Sequence, residues 1–386
     1  MFKSRLCVLL AFLALIPALI AAGCTGGVKD QPQQDEKVIK IAFIGPLSGD
    51  MKTFGESAKN AFNLAVEQSG GKVGDYRIEA IILDDRNDAA EAADSVTKLI
   101  SEDKITGLVG SLSHRATLPI SQIANDNKVV MVAATATNPT ITLDNGVRKD
   151  YVFRACYIDP YQGTIAARFA ADNLKAKTAA VLYNREDSYY NTGLATSFKN
   201  AFTESGGKIL AFSSYLQDDD DFSEALNNIA GLKPDVLYLP DLYQKVSLIA
   251  KQAREKKINA IFIGGDGWDS TGYEGAMEGG YFTNHFSAND PRPEIKKWVE
   301  DYNAKYGAAP DARSTLYYDA TNLLLNAVKV AGSDDPALIK EALQTTENFP
   351  AVSGKISFDS EGNPIKPVAV MQVKDGKQIY VTTMAP

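Results

Sequence analysis

The stretch FIGGDGWDS, residues 262–270, begins as an apolar strand and then presents Gly264, Gly265, Asp266, Gly267, Trp268, Asp269 and Ser270. The chemistry open to it is electrostatic. A carboxylate at the carboxyl end of a strand, flanked by glycines that remove neighbouring side chains, can be approached closely by a cationic nitrogen such as –NH₃⁺. Asp269, next to Ser270, is expected to turn the chain or cap a short helix, and Trp268 either walls a pocket or plugs a core. Nucleophilic catalysis has little to work with: the two histidines are His114 and His285, and no G-x-S-x-G elbow occurs. HExxH, CxxC, a Walker A loop and G-x-G-x-x-G are all missing, so neither a metal nor a nucleotide cofactor is expected and the chain reads as a binder, not an enzyme. The acidic run at 218–221 lacks the spacing and the glycine of an EF-hand; it is expected to be a solvated turn with Asp221 capping the next helix.

Composition narrows the partners. With 386 residues, 45% hydrophobic and 23% charged, the chain can bury a large core and is long enough for two domains. A net charge of −8 with no cluster of Lys and Arg argues against nucleic acid and for a small solute. At the N-terminus, Lys3 and Arg5 precede the apolar run at 6–22, as a secretory signal requires. The run ends in AAGC, which resembles the lipobox of bacterial lipoproteins and sets residues 1–24 aside as a lipoprotein signal in which Cys24 is diacylated and becomes the mature N-terminus; ordinary cleavage in the same small residues would instead release a free secreted protein. Residues 25–37 are Gly, Gln, Pro and charge without apolar period, a flexible tether that would hold the folded body near a membrane. Of three cysteines, Cys7 lies in the signal and Cys24 is the lipid site, which leaves Cys156 as a buried small apolar residue with no disulfide partner.

These residues need elements to position them. Short Val- and Ile-rich runs recur at 38–44, 78–83, 105–110, 129–135, 179–183, 235–239 and 260–264, separated by helix-length segments such as the one carrying Ala58, Phe62 and Val66. Strand alternating with helix predicts α/β architecture with doubly wound parallel sheets, in two lobes. In open parallel sheets ligands sit outside the carboxyl ends of the strands. There the chain places GPLSGDMKTFG at 45–55, DDRND at 84–88, SLSHRAT at 111–117, ATATNP at 134–139, NREDSYYNTG at 184–193, PDLYQ at 240–244 and the opening stretch. Ser48, Thr137, Asn184 and Asp241 are also the residue types that cap helices whether or not a ligand exists.

Taken in order, IAFIGPLSG, LDDRND, AATATNP, the Y-x-x-G at 190–193, IAKQAR at 249–254 and GGDGW at 264–268 resemble the substrate-binding proteins of ABC transporters in the branched-chain amino acid class, over residues 38 to about 370. The resemblance implies a type I periplasmic binding protein, two lobes joined by three crossovers and working as a monomer with an ABC permease. Lobe one is expected at 38–155 and 287–355 and lobe two at 156–286 and 356–386, with crossovers near FRACY, TNHFS and SGKISF. It also implies a clamp. The ligand carboxylate falls to Ser113 or His114 and to Thr135; the ammonium falls to the Ala133 carbonyl, the Thr135 hydroxyl and Asp266; Tyr190 reaches in from the second lobe; Phe54 and Leu112 face the ligand side chain. A second family tyrosine aligns with Leu242, beside Tyr243. Arg115 either reaches an acidic ligand group or faces solvent. The expected function is extracytoplasmic capture of an amino acid. The alternatives are a sensor component, or a carrier of an aromatic acid or short amide, which would not need an acid at Asp266.

Overall fold

Along the run VIKIAFI, Ile39, Ile41 and Phe43 pack in one cluster with Phe62, Leu316 and Leu324, while Ala42 and Ile44 pack in another with Val96, Leu99 and Ile120. Side chains that alternate faces and are apolar on both require helices on both sides of the sheet. That is the arrangement in the computed structural model, which describes residues 36–187, 190–270 and 272–386. The signal stretch, Cys24 and all but the end of the tether lie outside the described residues. Residues 37–386 form one unit.

The first sheet contains β1 (Val38–Gly45), β2 (Lys72–Val73), β3 (Tyr76–Asp84), β4 (Gly107–Val109) and β5 (Val130–Ala133). After the small hairpin of β6 (Leu143–Asp144) and β7 (Val147–Arg148), β8 (Val152–Arg154) completes it in the order β2-β3-β1-β4-β5-β8, parallel except for β2 at the edge. Its early helices are α1 (Lys52–Gln68), α2 (Ala89–Lys98) and α3 (His114–Asp126). The second sheet begins with β9 (Thr178–Asn184), β10 (Lys208–Tyr215), β11 (Val236–Tyr238), β12 (Ile261–Gly264) and β13 (Tyr281–Asn284), interleaved with α4 (Asp159–Arg168), α5 (Tyr190–Glu204), α6 (Ser223–Leu232) and α7 (Tyr243–Glu255). The chain then returns. Ile295, Trp298 and Tyr302 of α8 (Pro293–Tyr306), the apolar face of α9 (Ala312–Ala331), and Ile339 of α10 (Pro336–Gln344) all pack into the core of the first lobe.

The α/β two-sheet expectation holds, with one difference: the second sheet is mixed. After the short ladder of β14 (Ser357–Phe358) and β15 (Pro364–Ile365), β16 (Val368–Lys374) runs antiparallel to β13, and β17 (Lys377–Met384) runs antiparallel to β16, giving the order β10-β9-β11-β12-β13-β16-β17. The cause is local. Asp375 and Gly376 both take positive φ, 50° and 68°, the tight turn that an Asp-Gly pair makes between antiparallel strands. Ile356 and Phe358 still pack with the first lobe's core, so the chain joins the second sheet at Val368 and not at 356.

A buried polar knot ties the crossovers together. The Lys366 ammonium, fully buried, donates to the Ala155 carbonyl at 3.2 Å and to the Ser353 hydroxyl, and the Asp319 carboxylate of α9 accepts the Val352 and Ser353 amides at 2.8 and 2.9 Å. Burial lowers the Lys366 ammonium to about 8, against the pull of Asp319. With the folded value below the unfolded one, the cost of burying the charge is present in full below pH 8 and fades as pH rises toward the unfolded value. Urea unfolding at pH 7 and pH 9 is expected to show wild type gaining about 1 kcal/mol relative to Lys366→Met. Parallel profiles would mean that the ammonium titrates as it does in the unfolded chain.

Candidate functional site

The carboxyl ends of β5 and β12, the start of α9 and the crossover at 284–285 surround a cavity of about 190 Å³, lined by Met51, Leu112, Thr135, Tyr190, Leu242, Asp266, Gly267, Asp269, Asn284, His285, Ala312, Arg313 and Leu316. That is below the roughly 300–1,000 Å³ of sites for drug-sized ligands and suits a molecule of amino-acid size. A wider cleft of about 600 Å³ continues from it, sharing Met51, Leu242, Asp269, Asn284 and Arg313 and adding Phe54, Tyr243 and Phe286.

Asp266 opens a short 3₁₀ turn directly after β12. One carboxylate oxygen accepts the Tyr190 hydroxyl at 2.8 Å, and the other lies 3.2 Å from Nε2 of His285. The Tyr190 oxygen in turn accepts the Gly267 amide at 2.7 Å. The glycines around the acid answer to this geometry and not to a ligand directly. A Cβ on Gly264 would lie 2.0 Å from the Trp268 indole, and one on Gly267 would lie 2.7 Å from the Tyr190 hydroxyl. Trp268 itself is fully buried, donating its indole N–H to the Leu239 carbonyl at 3.0 Å, so it plugs the second lobe and walls no pocket.

Burial works to raise the Asp266 carboxyl, but the hydrogen bond and electrostatic pull of His285, with hydrogen bonds from Tyr190 and Gln162, outweigh it and hold the group below the ordinary carboxylate value. Burial pushes the His285 imidazole down, against the upward pull of Asp266. The ring is 4% exposed and stacks on Tyr157 at a centroid distance of 3.7 Å. At neutral pH it is therefore uncharged, and facing a carboxylate it must carry its proton on Nε2. The Tyr190 hydroxyl and the His285 ring hold Asp266, and among the described residues no Lys or Arg lies within ion-pair distance of it. An anion held this way keeps its full charge toward the cavity.

Of the nine expected ligand contacts, Leu112, Thr135, Tyr190 and Asp266 line the inner cavity, and Phe54 and Tyr243 line the outer cleft. Leu242, the residue aligned with the second family tyrosine, lines the inner cavity, while Tyr243 begins α7 and packs edge-on against Tyr273, 5.4 Å away. Ala133 is fully buried and its carbonyl accepts the Ala155 amide at 2.9 Å within the sheet edge, so it does not face the cavity. Ser113 is the N-cap of α3, its hydroxyl accepting the Ala116 amide and donating to Asn87. His114 follows on the first turn of that helix, with burial lowering its ring and Asp187 opposing; neither Ser113 nor His114 lines the cavity. Thr135 does line it, but its hydroxyl donates to the Leu112 carbonyl.

Other expectations resolve locally. Arg115 is 69% exposed beside Asp88, Asp221 accepts the Ser223 amide at 2.9 Å, and Cys156 is buried with its thiol pushed up to about 12. Asp88, not a ligand, explains the end of DDRND: its carboxylate accepts the amides of Ala90 and Glu91 at the start of α2. Asp269 does more than turn the chain. It lines the cavity, accepts a hydrogen bond from Gln378 at 3.0 Å and faces Arg313 of the first lobe at 4.0 Å. His285 and Arg313 were missed as site residues, since each reaches the cavity only through folding: His285 lies 19 positions after its partner Asp266, and Arg313 lies on the helix that returns to the first lobe.

A family model for periplasmic binding proteins matches residues 38–378. The chain belongs to the periplasmic binding protein family. Its two lobes have the type I periplasmic binding protein fold, and its relatives are of the branched-chain amino acid class. The crystal structure of a leucine-binding protein, LivK, from Thermotoga maritima is 36% identical, covers 90% of this chain and 99% of its own, and superposes with a TM-score of 0.77. The branched-chain amino acid binding protein LivJ from Streptococcus pneumoniae, solved with isoleucine, is 28% identical over 91% of this chain and 99% of its own, with a TM-score of 0.75. A leucine-, isoleucine-, valine-, threonine- and alanine-binding protein of Pseudomonas aeruginosa is 27% identical over 84% of this chain and 87% of its own length. In this periplasmic binding protein, no helix among the described residues is long and apolar enough to cross a membrane.

Proposed function

We propose that the protein is an extracytoplasmic solute-binding lipoprotein, anchored through Cys24, that captures an amino acid as a zwitterion between its lobes and delivers it to an ABC permease. The single observation that carries this reading is the Asp266 carboxylate, lining a cavity of about 190 Å³, held by Tyr190 and His285 and with no Lys or Arg among the described residues within ion-pair distance. A cation leaving water must find an anion, because burying it unpaired costs several kcal/mol. The names of the relatives point to the same ligand class. A ligand held by Asp266 and Tyr190 on the second lobe and packed against Leu112 and Thr135 on the first binds the closed form better than the open one and shifts the hinge toward closure. A thermal-shift screen over amino acids, organic acids and short amides at neutral pH tests it. Stabilisation by zwitterionic amino acids alone is expected; stabilisation only by aromatic acids or by uncharged amides would overturn it.

The neutral His285 adds a pH dependence. Its folded value is depressed, so the ring stays uncharged above that value and gains a proton as pH falls through it. Protonated, it would neutralise Asp266 and repel the ligand ammonium. Calorimetry is expected to give steady affinity from pH 7 to 8 and progressive weakening below about 6.5, with His285→Gln abolishing the weakening. A wild-type affinity unchanged down to pH 5 would remove His285 from this role.

A further inference from the structure

The inner cavity holds a second pair of charged side chains besides Asp266, and their charges are incompletely matched. Arg313 sits on the first turn of α9, a helix begun by a capping box in which the Asp311 carboxylate accepts the Ser314 amide. Its guanidinium lies over the Phe54 ring, 4.3 Å from the centroid, which fixes its plane. No hydrogen-bond acceptor for it occurs among the described residues; its nearest carboxylate oxygen, on Asp269 of the second lobe, is 4.0 Å away, beyond hydrogen-bond reach. Asp269 is 12% exposed and accepts from Gln378 and Asn284, and burial works to raise its carboxyl against the pull of Arg313. Both side chains line the inner cavity together with Asp266 and the apolar Leu112, Leu242 and Leu316.

We infer that Arg313 and Asp269 form a second recognition pole that reads the far end of the ligand and selects an amino acid whose side chain ends in a neutral group with both an acceptor and a donor, as a carboxamide has. The inference rests on the amino-acid reading of Asp266. An aliphatic end would strip water from the guanidinium and from Asp269 and return no hydrogen bond to either. A carboxylate end would satisfy Arg313 but sit against Asp269, and an ammonium end would meet Arg313; each places like charges together in a confined space. A carboxamide suits both, its carbonyl accepting from the guanidinium and its –NH₂ donating to the Asp269 carboxylate. Because one partner is on each lobe, the same contact would also draw the lobes together.

Calorimetry of the full chain with glutamine, leucine and glutamate, in wild type and in Arg313→Met and Arg313→Lys, tests this. Wild type is expected to bind glutamine at least tenfold more tightly than leucine or glutamate. Arg313→Met should lose tenfold or more for glutamine while leucine stays level or improves, and Arg313→Lys, which keeps the charge but not the planar fork, should fall between. A wild type that prefers leucine, or an Arg313→Met variant that weakens glutamine and leucine by the same factor, would reduce the pair to a contact between lobes and overturn the inference while leaving Asp266 untouched. A wild type that binds none of the three would overturn the amino-acid reading itself, and this inference with it. Should Arg313→Met fail to fold, the Arg313→Lys and wild-type arms still decide.

Discussion

Asp266→Ala is expected to weaken amino-acid binding by about 2–5 kcal/mol, a loss of roughly thirty- to four-thousandfold in Kd. The size follows from what the substitution strands. On the proposed reading the ligand ammonium exchanges water for the Asp266 carboxylate, which the Tyr190 hydroxyl and the His285 ring hold in place. Removing the acid leaves that cation unpaired and also leaves the Tyr190 hydroxyl and the His285 N–H without their acceptor. Asp266→Asn separates the two effects. It keeps an acceptor for one of the donors but not the charge, and it should lose most of the affinity as well if the charge is what matters. Calorimetry at neutral pH with the best amino acid of the screen is the measurement; unchanged binding by both variants would place Asp266 outside the site.

The largest effect on stability is expected at Trp268. Trp268→Ala should cost about 3–5 kcal/mol in urea unfolding, the range for removing a large buried aromatic whose space the surroundings cannot refill. The site cannot close over the gap, because the indole is packed against the backbone of Gly264 and fixed by its bond to the Leu239 carbonyl, with Phe282 and Met277 in the same core. Since Trp268 ends the 3₁₀ turn that Asp266 begins, the loosened turn should also weaken binding, although the indole does not line the cavity. Trp268→Phe, which retains most of the volume but not the N–H, is expected to recover most of the stability. A loss below about 1 kcal/mol for the alanine variant would mean that the second lobe's core relaxes around the gap.

Much of this molecule is legible in one dimension. Apolar runs of four to eight residues separated by helix-length segments dictate alternating strands and helices, because a strand buried on both faces has no polar side to show and needs a helix on each. The polar residues collected after those runs mark the edge where the cavity lies. The hairpin turn at Asp375 and Gly376 was not expected, although few residues other than Gly, Asn and Asp tolerate two positive φ values in succession. Asp266 stood out by composition, an acid among glycines at a strand end. Which neighbours it has did not. That the glycines admit an indole and a tyrosine hydroxyl, that His285 comes to lie against the acid, that the Ala133 carbonyl accepts the Ala155 amide and the Ser113 hydroxyl donates to Asn87, and that Arg313 faces Asp269 all depend on how two lobes and three crossovers dock. Propensity and burial pattern act over a few residues and specify the elements. Charge pairing and close approach act through space between residues far apart in the chain, so they are settled only when those elements pack.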